Sequence, residues 1–125
     1  MKMRIQGNVI RFRLNRPEVG EFAIGGRVSG SIDFPGGKRL TYGIVKGGDA
    51  MVASYEAQEI RVAVPDAVAA EWVGTEQVGL TARVATGGGE LEIIIEKDFQ
   101  CMHKGEAGKD PDAYPNPMAA SEPRA

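Results

Sequence analysis

Cysteine and histidine each occur once in the sequence, and they occur together: Cys101 and His103 lie in "IEKDFQCMHKG", residues 95–105, with Asp98 just upstream. If the strand that carries Phe99 stays extended, Phe99, Cys101 and His103 face the same way, because side chains two apart in a strand share a face. A thiolate and an imidazole so placed can reach one metal ion. Structural zinc takes four ligands and catalytic zinc three plus water, so the remaining ligands would have to be acids such as Asp98, Asp110 or Asp112, or come from a second chain. The same pair would suit a cysteine nucleophile activated by histidine, but such pairs usually meet through the fold rather than as sequence neighbours, and no third, orienting group is identifiable. Against both stands the plainer reading, in which Phe99 and Cys101 continue the core side of the last strand, cysteine being among the most often buried residue types. Asp98, Cys101 and His103 are therefore the weak candidates for a metal or reactive site, the plainer reading is preferred, and no cofactor is expected.

A second group of candidates is cationic. Strand parity sets Arg4, Arg11, Arg13, Arg61 and Arg83 opposite the apolar positions, where Arg11, Arg13 and Arg61 in particular could bind a phosphate-bearing ligand. Glu90, Glu92 and Glu96 fall on the same outward parity, so the preferred expectation is that pairs across the sheet neutralise these charges. A nucleic-acid surface should also carry stacking aromatics, and nucleic acid is not expected as a partner.

The other fragments with chemical overtones fail. "KDPDAYPNP" offers Asp110 and Asp112 but neither the glycine nor the terminal glutamate of a calcium loop, and reads as a solvated tail. "FPGGKR" has Ile32 and Arg39 where a phosphate loop needs glycine and a hydroxyl residue. "ELEIIIEK" resembles the glutamates of triphosphate-tunnel enzymes, yet Ile94 stands where the basic residue belongs. With one histidine and no supporting motif, no serine, histidine and acid arrangement can be claimed.

The elements that would position these residues follow from size and periodicity. At 125 residues, 42% hydrophobic and 26% charged, the chain is expected to form one soluble domain able to fold without metal or disulfide. A net charge of -2 supplies no general attraction to nucleic acid or acidic membranes. Charged residues interrupt the opening "MKMRIQGNVIRFRL", which excludes a signal peptide, and no apolar run is long enough for a membrane span, so a cytoplasmic protein is expected.

In "VIRFRL", residues 9–14, Ile10, Phe12 and Leu14 alternate with Arg11 and Arg13, the period of a strand with one buried face. Asn15 and Glu18 then form a capping-box pattern, Val19, Phe22 and Ala23 share a helical face, and Gly25 and Gly26 end the helix. Strands at 28–34 and 39–45 flank a Pro35, Gly36, Gly37 turn. After a turn at 46–50, strands are expected at 51–56 and in "EIRVAV", with Ile60, Val62 and Val64 inward. Pro65 opens a second helix with Val68 and Trp72 on one face, and strands at 77–84 and 90–97 close the regular part.

Set side by side, Ile10-Arg11 meets Ile60-Arg61, Leu14 meets Val64, Glu21-Phe22 meets Glu71-Trp72, Val28 meets Val78 and Gly37 meets Gly87. This reads as two strand-helix-strand-strand repeats, or equally as two amphipathic units of one topology. Either way the fold class is α+β: a mainly antiparallel sheet or sheets with two short helices over the apolar face. Residues 1–102 are expected as this domain and 103–125 as an extended, partly disordered tail.

The pieces "MRIQGNVIRFRL", "EVGEF", "VAVP" with Trp72 after it, and "EKDFQCMHKG" followed by "YPNP" resemble a family of short bacterial proteins of unknown function. The resemblance runs nearly the length of the chain. It implies a compact bacterial protein and brings no activity, cofactor or catalytic residue with it. The functional expectation is a noncatalytic protein-binding or self-associating module, with a homodimer or a protein partner. The alternative is a metal-binding or phosphate-ligand-binding protein, or an enzyme, using Asp98, Cys101 and His103.

Overall fold

The structure, a computed structural model, describes residues 1–99. Cys101, His103, Asp110, Asp112 and the expected domain boundary after residue 102 lie outside the described residues. The chain runs β1 (Lys2–Gln6), β2 (Val9–Leu14), α1 (Arg16–Gly25), β3 (Arg27–Phe34), β4 (Lys38–Lys46), β5 (Val52–Glu56), β6 (Glu59–Val64), α2 (Asp66–Gly74), β7 (Gly79–Thr86) and β8 (Gly89–Lys97). Each half is thus strand, strand, helix, strand, strand. The expected strand-helix-strand-strand unit lacked its leading strand: β1 and β5 pair as hairpins with β2 and β6.

Two four-stranded sheets result, in the orders β1-β2-β8-β7 and β3-β4-β6-β5. Each joins a hairpin from one half to a hairpin from the other through a central parallel pair, β2 with β8 and β4 with β6. The sheets are therefore mixed: four of the six pairings are antiparallel, in keeping with a mainly antiparallel expectation, but the central pairing of each sheet is parallel. Alternation of apolar residues reports which face of a strand is buried and is silent on the direction of its neighbour. Direction here comes from the helices, which carry the chain from one sheet to the other and bring each half's last strand beside the other half's second.

Helix α1 forms where its caps require. Asn15 Oδ1 accepts the Glu18 N–H at 3.0 Å while Glu18 Oε1 accepts the Asn15 N–H at 2.8 Å, a reciprocal box. Gly26, at φ 74°, ends α1 in the left-handed region and donates its N–H to the Phe22 carbonyl. In α2 the buried pair is Ala69 and Trp72, whereas Val68 is exposed, correcting its expected place beside Trp72.

The core lies between the inner faces of the sheets, where Ile10, Phe12, Leu14, Ile93 and Ile95 of one meet Val28, Ile44, Val62 and Val64 of the other. Phe22 and Trp72, one from each helix, meet edge to face with ring centres 6.2 Å apart. Burying nine such aliphatic and aromatic side chains, at roughly 1.5–3 kcal/mol each, is the main favourable term holding the sheets together. The two halves repeat in detail: the Gly47 N–H reaches Val64 O and the Asp98 N–H reaches Leu14 O, both at 2.8 Å. The counterpart of Val28 is buried Leu80 rather than exposed Val78, because the link from α2 to β7 is longer than the single Gly26 that joins α1 to β3.

Candidate functional site

Of the Asp98, Cys101 and His103 group only Asp98 is among the described residues. It closes the β2–β8 ladder through its N–H to Leu14, and its carboxylate pairs with Lys2 Nζ at 3.2 Å. Among the described residues no three histidine, cysteine or acidic side chains stand together as a metal site would require.

The arginines divide between the sheets. Arg11 and Arg13 lie on the outer face of the first sheet and share Glu96, with Nε to Oε1 distances of 3.5 and 2.9 Å. Arg61 occupies the matching place on the second sheet, with Nη2 2.6 Å from Glu59 Oε1, and Glu59 also takes Arg27 at 3.2 Å. Arg11, Arg13 and Arg61 therefore do not form one surface. The split follows from topology, since β2 and β6 lie in different sheets, where Arg11 faces Arg4 on β1 and Arg61 faces Ser54 on β5.

Register also orders the outer face of the first sheet into rows. Lys2, Arg13, Glu96 and Gly79 form one, Arg4, Arg11, Ile94 and Thr81 the next, and Gln6, Val9, Glu92 and Arg83 the third. The first and third rows each set a glutamate beside an arginine. The middle row holds two arginines and no acid, and it borders an open hollow of about 520 Å³ lined by Arg4, Gln6, Val9, Arg11, Glu92 and Ile94.

A different surface forms at the far end of the molecule from the helices, where all four hairpin turns gather. There the sheets' inner faces part, leaving a hollow of about 390 Å³ lined mainly by Ile10, Leu40, Ala53, Tyr55, Ile60 and Leu91. Around this mouth large apolar side chains stand in solvent: Ile5 is 61% exposed, Ile32 and Phe34 50% each, and Tyr55 69%. Parity assigns all four to the inner side of their strands, opposite Ile10, Leu40, Lys38 and Ile60 respectively. Sequence reasoning missed this surface. The available signal was that apolar alternation in β3 and β4 continues to the turn, leaving more inward side chains than the opposite sheet covers.

Among the described residues no helix is long and apolar enough to cross a membrane. No curated protein and no solved structure matches the chain. A family model does match, over residues 1–118, which takes in the whole described fold. The chain belongs to that family, a family of unknown function designated DUF7009.

Proposed function

We propose that the protein is a noncatalytic binding module that associates with a second copy of itself through the mouth between its sheets. The observation that carries this reading is the set of exposed apolar side chains at one end of the molecule: Tyr55 lines the hollow, Phe34 lines an adjoining one with Tyr55 and Leu40, and Ile5 and Ile32 pair across their strands with the lining residues Ile10 and Leu40. Contiguous apolar surface of this kind marks interaction sites in soluble proteins. A two-fold contact uses the same patch on both partners, so a patch with its own cavity and its own projecting side chains meets the requirement of self-complementarity. Phe34 and Tyr55 of one copy are suited to fill the mouth of the other, as aromatic anchors do at interface centres. A lone cysteine, unable to form a disulfide within the chain, fits a cytoplasmic setting.

Sedimentation velocity up to about 100 µM, where associations of micromolar affinity are populated, tests this. A dimer that becomes monomeric in Phe34→Asp and in Tyr55→Asp supports the reading, since both side chains are exposed and their replacement leaves the core intact. A chain that stays monomeric throughout the range, or a dimer indifferent to both substitutions, overturns it.

A further inference from the structure

Directly opposed like charges destabilise an antiparallel pair, yet the β1–β2 hairpin opposes Arg4 with Arg11 and Lys2 with Arg13. The second of these pairs is compensated, Lys2 by Asp98 and Arg13 by Glu96. The first is not. Among the described residues no carboxylate approaches Arg4 within ion-pair distance, and Arg11 has only its share of Glu96 at 3.5 Å. The Arg11 Nε is buried and has no hydrogen-bond partner among the described residues, leaving a cationic donor unsatisfied.

The other half of the molecule shows what a compensated version looks like. There the counterpart of Arg11 is Arg61, which is held by Glu59 at 2.6 Å, and the counterpart of Arg4 is Ser54. The arginine pair is thus a departure from the internal symmetry, confined to the sheet that carries the hollow. Glu92 also lines that hollow, and in the β7–β8 register it stands opposite Arg83.

We infer that Arg4 and Arg11 bind the phosphate group of a small phosphate ester whose apolar body rests on Val9 and Ile94. Two guanidinium forks match the charge and the several acceptor oxygens of a phosphate dianion, and the Gln6 amide adds a neutral donor at the rim. Val9 and Ile94 supply the floor, which favours a ligand with an apolar portion over free phosphate. The three rows of this face contain no aromatic side chain on which nucleic-acid bases would stack, so a small ligand is favoured over a strand of nucleic acid.

The test is an NMR titration of the full chain that follows the arginine Nε–Hε signals, with phenyl phosphate and inorganic phosphate added at ionic strength held constant by sodium chloride. The expected result is saturable movement of the Arg11 signal, tighter for phenyl phosphate than for inorganic phosphate. Binding should be roughly tenfold weaker in Arg4→Gln and also weakened in Arg4→Lys, which keeps the charge and loses the fork. Arg39→Gln, on the other sheet, should bind as the parent does. Arg4 is exposed on an edge strand, and the backbone amide spectrum reports directly that each variant is folded. Movement that chloride reproduces, movement unchanged in Arg4→Gln, or no movement at all overturns the proposal. So does tighter binding of a single-stranded oligonucleotide than of phenyl phosphate.

Discussion

Lys46 and Lys97 make the same two contacts in the two halves of the molecule. Lys46 Nζ donates to the Ala23 carbonyl at 2.7 Å and lies 5.9 Å from the centre of the Phe22 ring; Lys97 Nζ donates to the Thr75 carbonyl at 2.8 Å and lies 5.6 Å from that of Trp72. Each ammonium thus sits at the carbonyl end of a helix, where the macrodipole favours positive charge, and over an aromatic face that attracts it again.

Replacing either lysine by methionine keeps most of the apolar stem and removes the charge and the donor. Lys46→Met and Lys97→Met are each expected to cost about 1–2 kcal/mol in urea unfolding, from one hydrogen bond and one cation–π contact. A loss confined to one of the two would show that the contacts are not equivalent.

The β5–β6 turn holds Ala57 at φ 50° and Gln58 at φ 63°, so two residues with side chains occupy the left-handed region. A two-residue hairpin turn with both φ values positive favours Asn-Gly, and an ordinary L-residue there loses about 1–2 kcal/mol. The double substitution Ala57→Asn, Gln58→Gly is therefore expected to stabilise the protein by about 1 kcal/mol or more. Thermal unfolding that shows no gain would mean that the turn relaxes in solution.

Asp33 and Arg39 face each other across the β3–β4 ladder, Nε to Oδ1 at 2.5 Å. The hydrogen bond from Arg39, and then its charge, hold the Asp33 carboxyl below the usual carboxylate range. Folding therefore favours the ionised form, so the contribution is present above the ordinary aspartate value and is lost as pH falls through the lowered native one. Carboxyl NMR titration should find Asp33 titrating below ordinary aspartates, and Arg39→Gln should return it upward. Both groups are solvent-exposed, so little change in overall stability is expected.

Every sheet takes two strands from each half, and the central ladders run between halves. Cleavage at a protease site placed in the 47–51 link should therefore leave the two pieces associated. They are expected to co-elute in native gel filtration and to separate only in denaturant. Pieces that part in native buffer would show that the parallel ladders and the shared core are weaker than their burial implies.

Much of this architecture is legible in the sequence. The alternation in β2 and β6 identifies the strands, Asn15 with Glu18 marks the start of α1, and glycines mark its end and the hairpin turns. Strand parity also places Arg4, Arg11 and Arg13 outward and anticipates that glutamates neutralise them, as Glu96 does for Arg13, while Arg11 has only a 3.5 Å share of it and among the described residues Arg4 has no such partner. What parity cannot carry is relative position. The two parallel pairings, the division of Arg11 from Arg61, and the opposition of Arg4 to Arg11 all depend on which strands become neighbours and in what register. The mouth was illegible for a related reason: Ile5, Ile32 and Phe34 have the pattern of core residues, and only the parting of the sheets exposes them.

The two sheets differ in how far apart their strands lie along the chain. All four strands of β3-β4-β6-β5 fall within residues 27–64, whereas β1-β2-β8-β7 unites the first two described strands with the last two. On a ribosome the former sheet has every strand in hand once Val64 has emerged, while the β1–β2 hairpin must wait for β8, which inserts between it and β7. Closing so long a loop is entropically slow, and until it closes the edge of β2 that pairs with β8 has no partner strand. The described fold is thus completed from the middle of a sheet, by β8, and an interruption before that strand emerges would release a nascent chain with one finished sheet and one exposed hairpin.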